Sequence, residues 1–195
     1  MPPKRRLRQG WYAVNRRPGI RGFAYIEEHL MDTTTNDSGS AFPVDRPVES
    51  LIRDHNLVRT LVETYRNSDS DAVKINAAEQ ILMLMETHSL LEESVFYPAV
   101  REIDPTLIGH FEQEHQKTDQ ILVELKRMSL NDPQALPLFE QLIELHLQHV
   151  EEEENQFFPR LEQAGIDMMP IGLQMQAFEA NMVHVQAQAT QQGAR

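Results

Sequence analysis

From Pro47 onward, apolar residues recur every three or four positions, the spacing of a helix with one face turned to a core. Four long segments carry the pattern. The first runs from about Val48 to Arg66 and ends in the polar turn Asn67-Ser68-Asp69-Ser70; the second runs from Asp71 to about Arg101 and stops at Asp104-Pro105. The third covers about Thr106 to Met128, closed by Asn131-Asp132-Pro133, and the fourth about Gln134 to Gln163, ended by Gly165. Strand-like alternation is missing, and Leu, Glu, Gln, Met and Ala dominate the long segments, so the expected class is all-α. Short connections make neighbours antiparallel, which predicts an up-down-up-down four-helix bundle over residues 46–164.

The chain repeats itself within this region. His55 and His115 follow Asp54 and Glu114, in Asp54-His55 and Glu114-His115. His88 and Glu92 match His149 and Glu153, and each His-x-x-x-Glu leads to an aromatic-proline step, Phe96-Tyr97-Pro98 and Phe157-Phe158-Pro159. The chain therefore reads as two helical hairpins of one design.

Helical spacing puts these polar residues on apolar stripes. Ile81, Met85, His88, Glu92 and Val95 share one face, and Leu138, Leu142, Leu145, His149, Glu153 and Phe157 share another. His55 lies between Ile52 and Val58, and His115 between Phe111 and Leu122. Unpaired charges at such depth cost several kcal/mol each, and no Lys or Arg stands in either His-x-x-x-Glu stripe. Divalent cations remove the conflict: four histidines and two glutamates suit two metals, with the i, i+4 spacing aiming each His and Glu at one region. A single buried histidine is more often a hydrogen-bonded core residue. The matched repetition is what turns the reading towards metal. His146, one turn before His149, reads as a supporting group or a replacement ligand, whereas His110, His29 and His184 fall outside the seam.

Composition narrows the chemistry further. The 195 residues contain no cysteine, which removes disulfides, thiolate catalysis and iron–sulfur clusters and leaves nitrogen and oxygen as metal donors. The net charge of −12 argues against nucleic acid as a partner. No apolar run is long enough to span a bilayer or to form a secretory signal, so a cytoplasmic protein is expected. Residues 1–45 stand apart: Lys4, Arg5, Arg6, Arg8, Arg16, Arg17 and Arg21 precede the first acid, and a polar stretch follows Met31. They read as a disordered basic extension, with translation from Met31 as an alternative, and carry no assigned function. Residues 165–195, rich in Gln, Ala and Met, are expected to form a tail or loose helix.

In Asp54-His55, His88-x-x-x-Glu92 with Phe96-Tyr97-Pro98, Glu114-His115, and His149-x-x-x-Glu153 with Phe157-Phe158-Pro159, residues 47–163 resemble the hemerythrin-like (HHE cation-binding) family. The resemblance implies a non-haem di-iron centre with His55, His88, Glu92, His115, His149 and Glu153 as ligands, Glu92 and Glu153 bridging. Zinc and manganese accept the same donors. Oxygen carriers of the family place a fifth histidine one turn after the first on the third helix, where this chain has Asp119, and an aspartate five residues after the last histidine, where it has Glu154. Asp119 and Glu154 are therefore further candidates, although the match to His88 and Glu92 favours Glu153 over Glu154. The implied function is binding of, or reaction with, a small oxidant (dioxygen, peroxide or nitric oxide) in oxygen, iron or redox homeostasis. The rivals are a di-iron peroxidase or oxidase and a module that stores or senses metal. No catalytic residue, organic cofactor or protein partner is indicated.

Overall fold

The structure is a computed structural model that describes the backbone of residues 43–192 and the side chains of residues 43–182. The basic stretch, His29 and the side chain of His184 lie outside the described residues. Helix α1 spans Pro47–Asn67 and α2 spans Asp71–Leu91; a π turn, π1 (Glu92–Phe96), then carries α2 straight into α3 (Tyr97–Val100). After a short turn comes α4 (Pro105–Leu125), then α5 (Ala135–Glu152), a second π turn, π2 (Glu153–Phe157), and α6 (Phe158–Ala164). A fifth long helix, α7 (Met169–Gln192), follows. Among the described residues there is no strand, and no helix is long and apolar enough to cross a membrane.

Local chemistry sets the boundaries. Pro47 opens α1, where its missing N–H removes a donor that would be unpaired in any case, and Glu49 and Arg66 complement the helix dipole at the two ends. Asp104 caps α4 by accepting a 2.9 Å hydrogen bond from the Leu107 N–H, with Pro105 as first residue. Gly165 ends α6 at φ +60°, a conformation that favours glycine.

The π turns alter the apolar stripes. The N–H of Tyr97 donates to the carbonyl of Glu92 and that of Phe158 to Glu153, five residues back in each case. Pro98 and Pro159 follow at once; a proline has no N–H to continue the i→i−4 ladder, so the aromatic-proline step marks the widened turn. Each turn holds one extra residue. After Glu92, Phe96 is completely buried and Val95 partly buried against the same cluster, and the π turn brings Tyr97, five residues on, to the buried face as well. On α5 the buried face is Phe139, Leu142, Ile143 and His146, while Leu138 and Leu145 flank it.

The core forms two apolar slabs. One contains Val58, Leu61, Ile81, Met85, Leu122, Phe139 and Leu142, and the other Leu51, Leu91, Phe96, Tyr97, Ile108, Phe111 and Phe157. The polar layer lies between them. Helix α7 closes the second slab by burying Ile171 and Met175, and it approaches the chain before α1 so closely that a Cβ on Gly172 would collide with the Val44 carbonyl.

Docking α7 also half-buries Glu179, whose pKa rises to about 7 through burial and then through the charge of Asp54. An exposed glutamate titrates near about 4.3, so between those values the folded chain binds more protons than the unfolded one. Stability should fall as pH rises through that window, and Glu179→Gln should flatten the slope. Melting temperatures of both proteins from pH 4.5 to 8 measure this; parallel profiles would contradict it.

Candidate metal centre

Each bundle helix delivers one histidine to the layer between the slabs. His55 comes from α1, His88 from α2, His115 from α4 and His149 from α5, and the first residues of π1 and π2 add Glu92 and Glu153. None of the six is more than 4% exposed. Because each glutamate opens a π turn one helical turn after its histidine, both side chains of a His-x-x-x-Glu enter the same layer.

The donor atoms converge in two groups. His55, His88, Glu92 and Glu153 form one, and Glu92, His115 and His149 the other, with all donor atoms of a group within 4.8 Å of one another. The Nε2 atoms of His55 and His88 are 2.9 Å apart, and those of His115 and His149 are 3.0 Å apart. Glu92 spans the pairs, with Oε1 at 3.2 Å from His88 Nε2 and Oε2 at 3.4 Å from His115 Nε2. Oε2 of Glu153 lies 3.5 Å from His55 Nε2 and 3.7 Å from His149 Nε2. Bonds of about 2.1 Å from one ion to neighbouring N and O donors leave those donors about 3 Å apart, so the spacing fits metal ligation.

Electrostatics point the same way. Both oxygens of Glu92 and Oε2 of Glu153 are buried with no hydrogen-bond partner, an arrangement that costs free energy unless a cation satisfies them. Burial, reinforced by the Glu92 charge, pushes the Glu153 carboxyl well up, so without a cation the two carboxylates resist ionising together. Burial likewise holds the His55 and His149 imidazoles well below their ordinary pKa, in the neutral form that metals require.

A ring of outer carboxylates faces the Nδ1 atoms. His55 Nδ1 pairs with Glu154 at 2.8 Å and His149 Nδ1 with Glu114 at 3.0 Å, both as hydrogen bonds. Looser approaches bring Asp54 to 3.7 Å from His88 Nδ1 and Glu93 to 3.4 Å from His115 Nδ1. A carboxylate accepts only, so these contacts favour the proton on Nδ1 and turn the Nε2 lone pair inward. Arg59 grips Glu154 with two hydrogen bonds of 2.9 and 3.0 Å, and His110 stands 3.3 Å from both Glu114 and Glu152. Glu154 thus stands behind His55, outside the converging groups, and half-buried Asp119 is outside them as well.

Only the acidic-histidine dipeptides and the doublets Glu92-Glu93 and Glu153-Glu154 signal this ring in the sequence. They give the residues but not which histidine each carboxylate faces.

The two hairpins differ at the aromatic-proline step. Tyr97 Oη donates a 2.7 Å hydrogen bond to Glu153 Oε1, while Phe158, at the matching position, has no hydroxyl to offer Glu92. Burial and then the Glu153 and Glu92 charges push the Tyr97 phenol well up, which keeps it a donor. Glu153 therefore has one oxygen held and one free, whereas Glu92 has both free.

Such a helical bundle, with a buried imidazole–carboxylate layer, defines a cation-binding domain. The family model for the hemerythrin HHE cation binding domain matches residues 46–161, and the chain belongs to that family. It is similar to an uncharacterized hemerythrin-like protein of Schizosaccharomyces pombe, 22% identical over 126 residues, which are 63% of this chain and 62% of that relative's length. No solved structure matches the chain.

Tyr97→Phe leaves Glu153 Oε1 buried without its donor, a loss of about 1–3 kcal/mol. Denaturant unfolding of chelator-stripped protein should show this decrease with helicity unchanged; equal stability would mean that the bond has no weight.

Proposed function

We propose that the layer holds two iron ions as a non-haem di-iron centre that binds or reacts with a small oxidant, dioxygen, peroxide or nitric oxide, in oxygen, iron or redox homeostasis. The observation that carries the reading is Glu92, whose two buried oxygens lack hydrogen bonds and face different histidine pairs. In this assignment His55, His88, Glu92 and Glu153 hold one ion, and His115, His149 and Glu92 the other, with Glu153 Oε2 between the two pairs.

Iron supplies redox chemistry and coordination positions that side chains leave open. The chain supplies the rest. Glu92 links the halves, the outer carboxylates orient the imidazoles, and Tyr97 keeps a proton on the hydrogen bond to Glu153 Oε1. Phe96, Tyr97, Phe111 and Phe157 are fully buried on one side of the layer, which excludes bulk water. A site this enclosed favours a ligand of a few atoms, in keeping with a diatomic gas or peroxide.

Iron-loaded protein should contain two irons per chain and show a near-ultraviolet band of a bridged iron pair. Folded protein that takes up no metal from excess ferrous iron under reducing conditions would sink the proposal.

Variants separate the roles. Glu92→Gln and Glu153→Gln should each lose about one iron per chain or the bridged band. Glu154→Ala should keep full stoichiometry at saturating iron while lowering affinity about 10- to 100-fold, the usual weight of an outer partner of a ligating histidine. Competition with a chelator measures this. Stoichiometry lost in Glu154→Ala and kept in Glu153→Gln would reverse the two assignments.

A further inference from the structure

Among the described residues, His146 is the buried histidine that the ligand assignment leaves unused. It is 4% exposed, and its Nε2 has no hydrogen-bond partner. Its ring lies 6.5 Å from that of His55, 6.3 Å from His88 and 6.5 Å from His149, centroid to centroid, so it looks onto the layer from the slab opposite Tyr97. No grouping of converging donor atoms includes it.

The repeat makes its chemistry conspicuous. The matching residue of the first hairpin is Met85, 1% exposed and packed in the same slab. Methionine fills that space at no polar cost, so an apolar side chain suits the packing. A histidine there leaves an unsatisfied nitrogen, which ordinarily costs about 1–3 kcal/mol. An unsatisfied buried group in a folded protein calls for an explanation, and a partner from outside the polypeptide is one that fits a nitrogen facing this layer.

We propose that His146 Nε2 is the hydrogen-bond donor for an anionic few-atom ligand bound at the His55–His88 side of the centre, and so selects anions over neutral ligands there. It positions and stabilises the ligand without ligating metal. A neutral imidazole with its proton on Nε2 offers one N–H, which an anion accepts more strongly than a neutral diatomic does.

The inference rests on the di-iron reading and is tested with azide on the full-length, iron-loaded chain. His146→Met, which copies the first hairpin, should retain wild-type iron content and helicity but bind azide about tenfold more weakly by optical titration. His146→Leu should behave alike and serves if the methionine variant does not fold. His146→Gln, which restores an N–H, should recover part of the affinity. In wild-type protein the azide vibrational band should shift between H2O and D2O, and in the apolar variants that shift should vanish.

Unchanged azide affinity in either apolar variant at full iron content would overturn the inference and leave the di-iron reading standing. Loss of iron from those variants would overturn it too, making His146 a ligand. A wild-type chain that binds no iron would fail the di-iron reading itself, and this inference with it.

Discussion

Two carboxylates buried among four imidazoles, between slabs of hydrocarbon, form the constraint on which the rest of this bundle depends. Glu92 and Glu153 are fully buried, and three of their four oxygens have no hydrogen bond from the protein. Left as bare charges they would work against the packing that encloses them. The family's cation-binding character explains why such a layer is retained: the bundle is organised to hold positive charge at its centre. With nitrogen and oxygen donors on all four bundle helices, cations held there as proposed would tie those helices together and so link metal affinity to folding stability.

The π turns make this compatible with a continuous helix. A straight α-helix already carries the stripe from Glu92 to Val95 and Phe96; the extra residue in π1 adds Tyr97, five positions on, to the buried face and lets it reach Glu153 on the other hairpin. In π2 the same device places Phe158, beside the buried Phe157, against the His55 ring, 6.0 Å between centroids. The aromatic-proline step thus sets the register of the polar layer and of its apolar cover together.

The bundle was largely legible in the sequence because helical periodicity and loop chemistry are local properties. Val48–Arg66 and Asp71–Arg101 lie close to the observed α1 and the α2–α3 run, and the break at Asp104-Pro105 was readable from two residues. The six residues named from the stripes make up the two buried groups of converging donor atoms, since i, i+4 spacing carries side-chain direction, whereas the converging His110, Glu114 and Glu152 lie nearer the surface and off those stripes. What stayed illegible depends on the angle between helices or on a change of helical pitch. Val95 and Leu145 pack on the core but stay partly buried, because the π turn adds Tyr97 to the buried face and α5 buries a face wider than one stripe. Glu154 could be read as a rival of Glu153 because spacing along one helix does not reveal that α1 presents His55 Nδ1 and Arg59 to it. The docking of α7, with Ile171 and Met175 buried, lacked a strong amphipathic signal because Gln and Ala dominate its sequence.

The ring of outer carboxylates also bears on the order of synthesis. Asp54 faces His88 and Glu114 faces His149 within a hairpin, but Glu93 faces His115 and Glu154 faces His55 across the two. The first hairpin alone therefore brings a carboxylate near one of its imidazoles, His88, and offers none to the other, His55. Glu154 is among the last bundle residues to leave the ribosome, and until it arrives His55 lacks its orienting partner. On the proposed assignment a nascent chain would present an incomplete site, and the full donor set would be available only when the last helix closes the bundle.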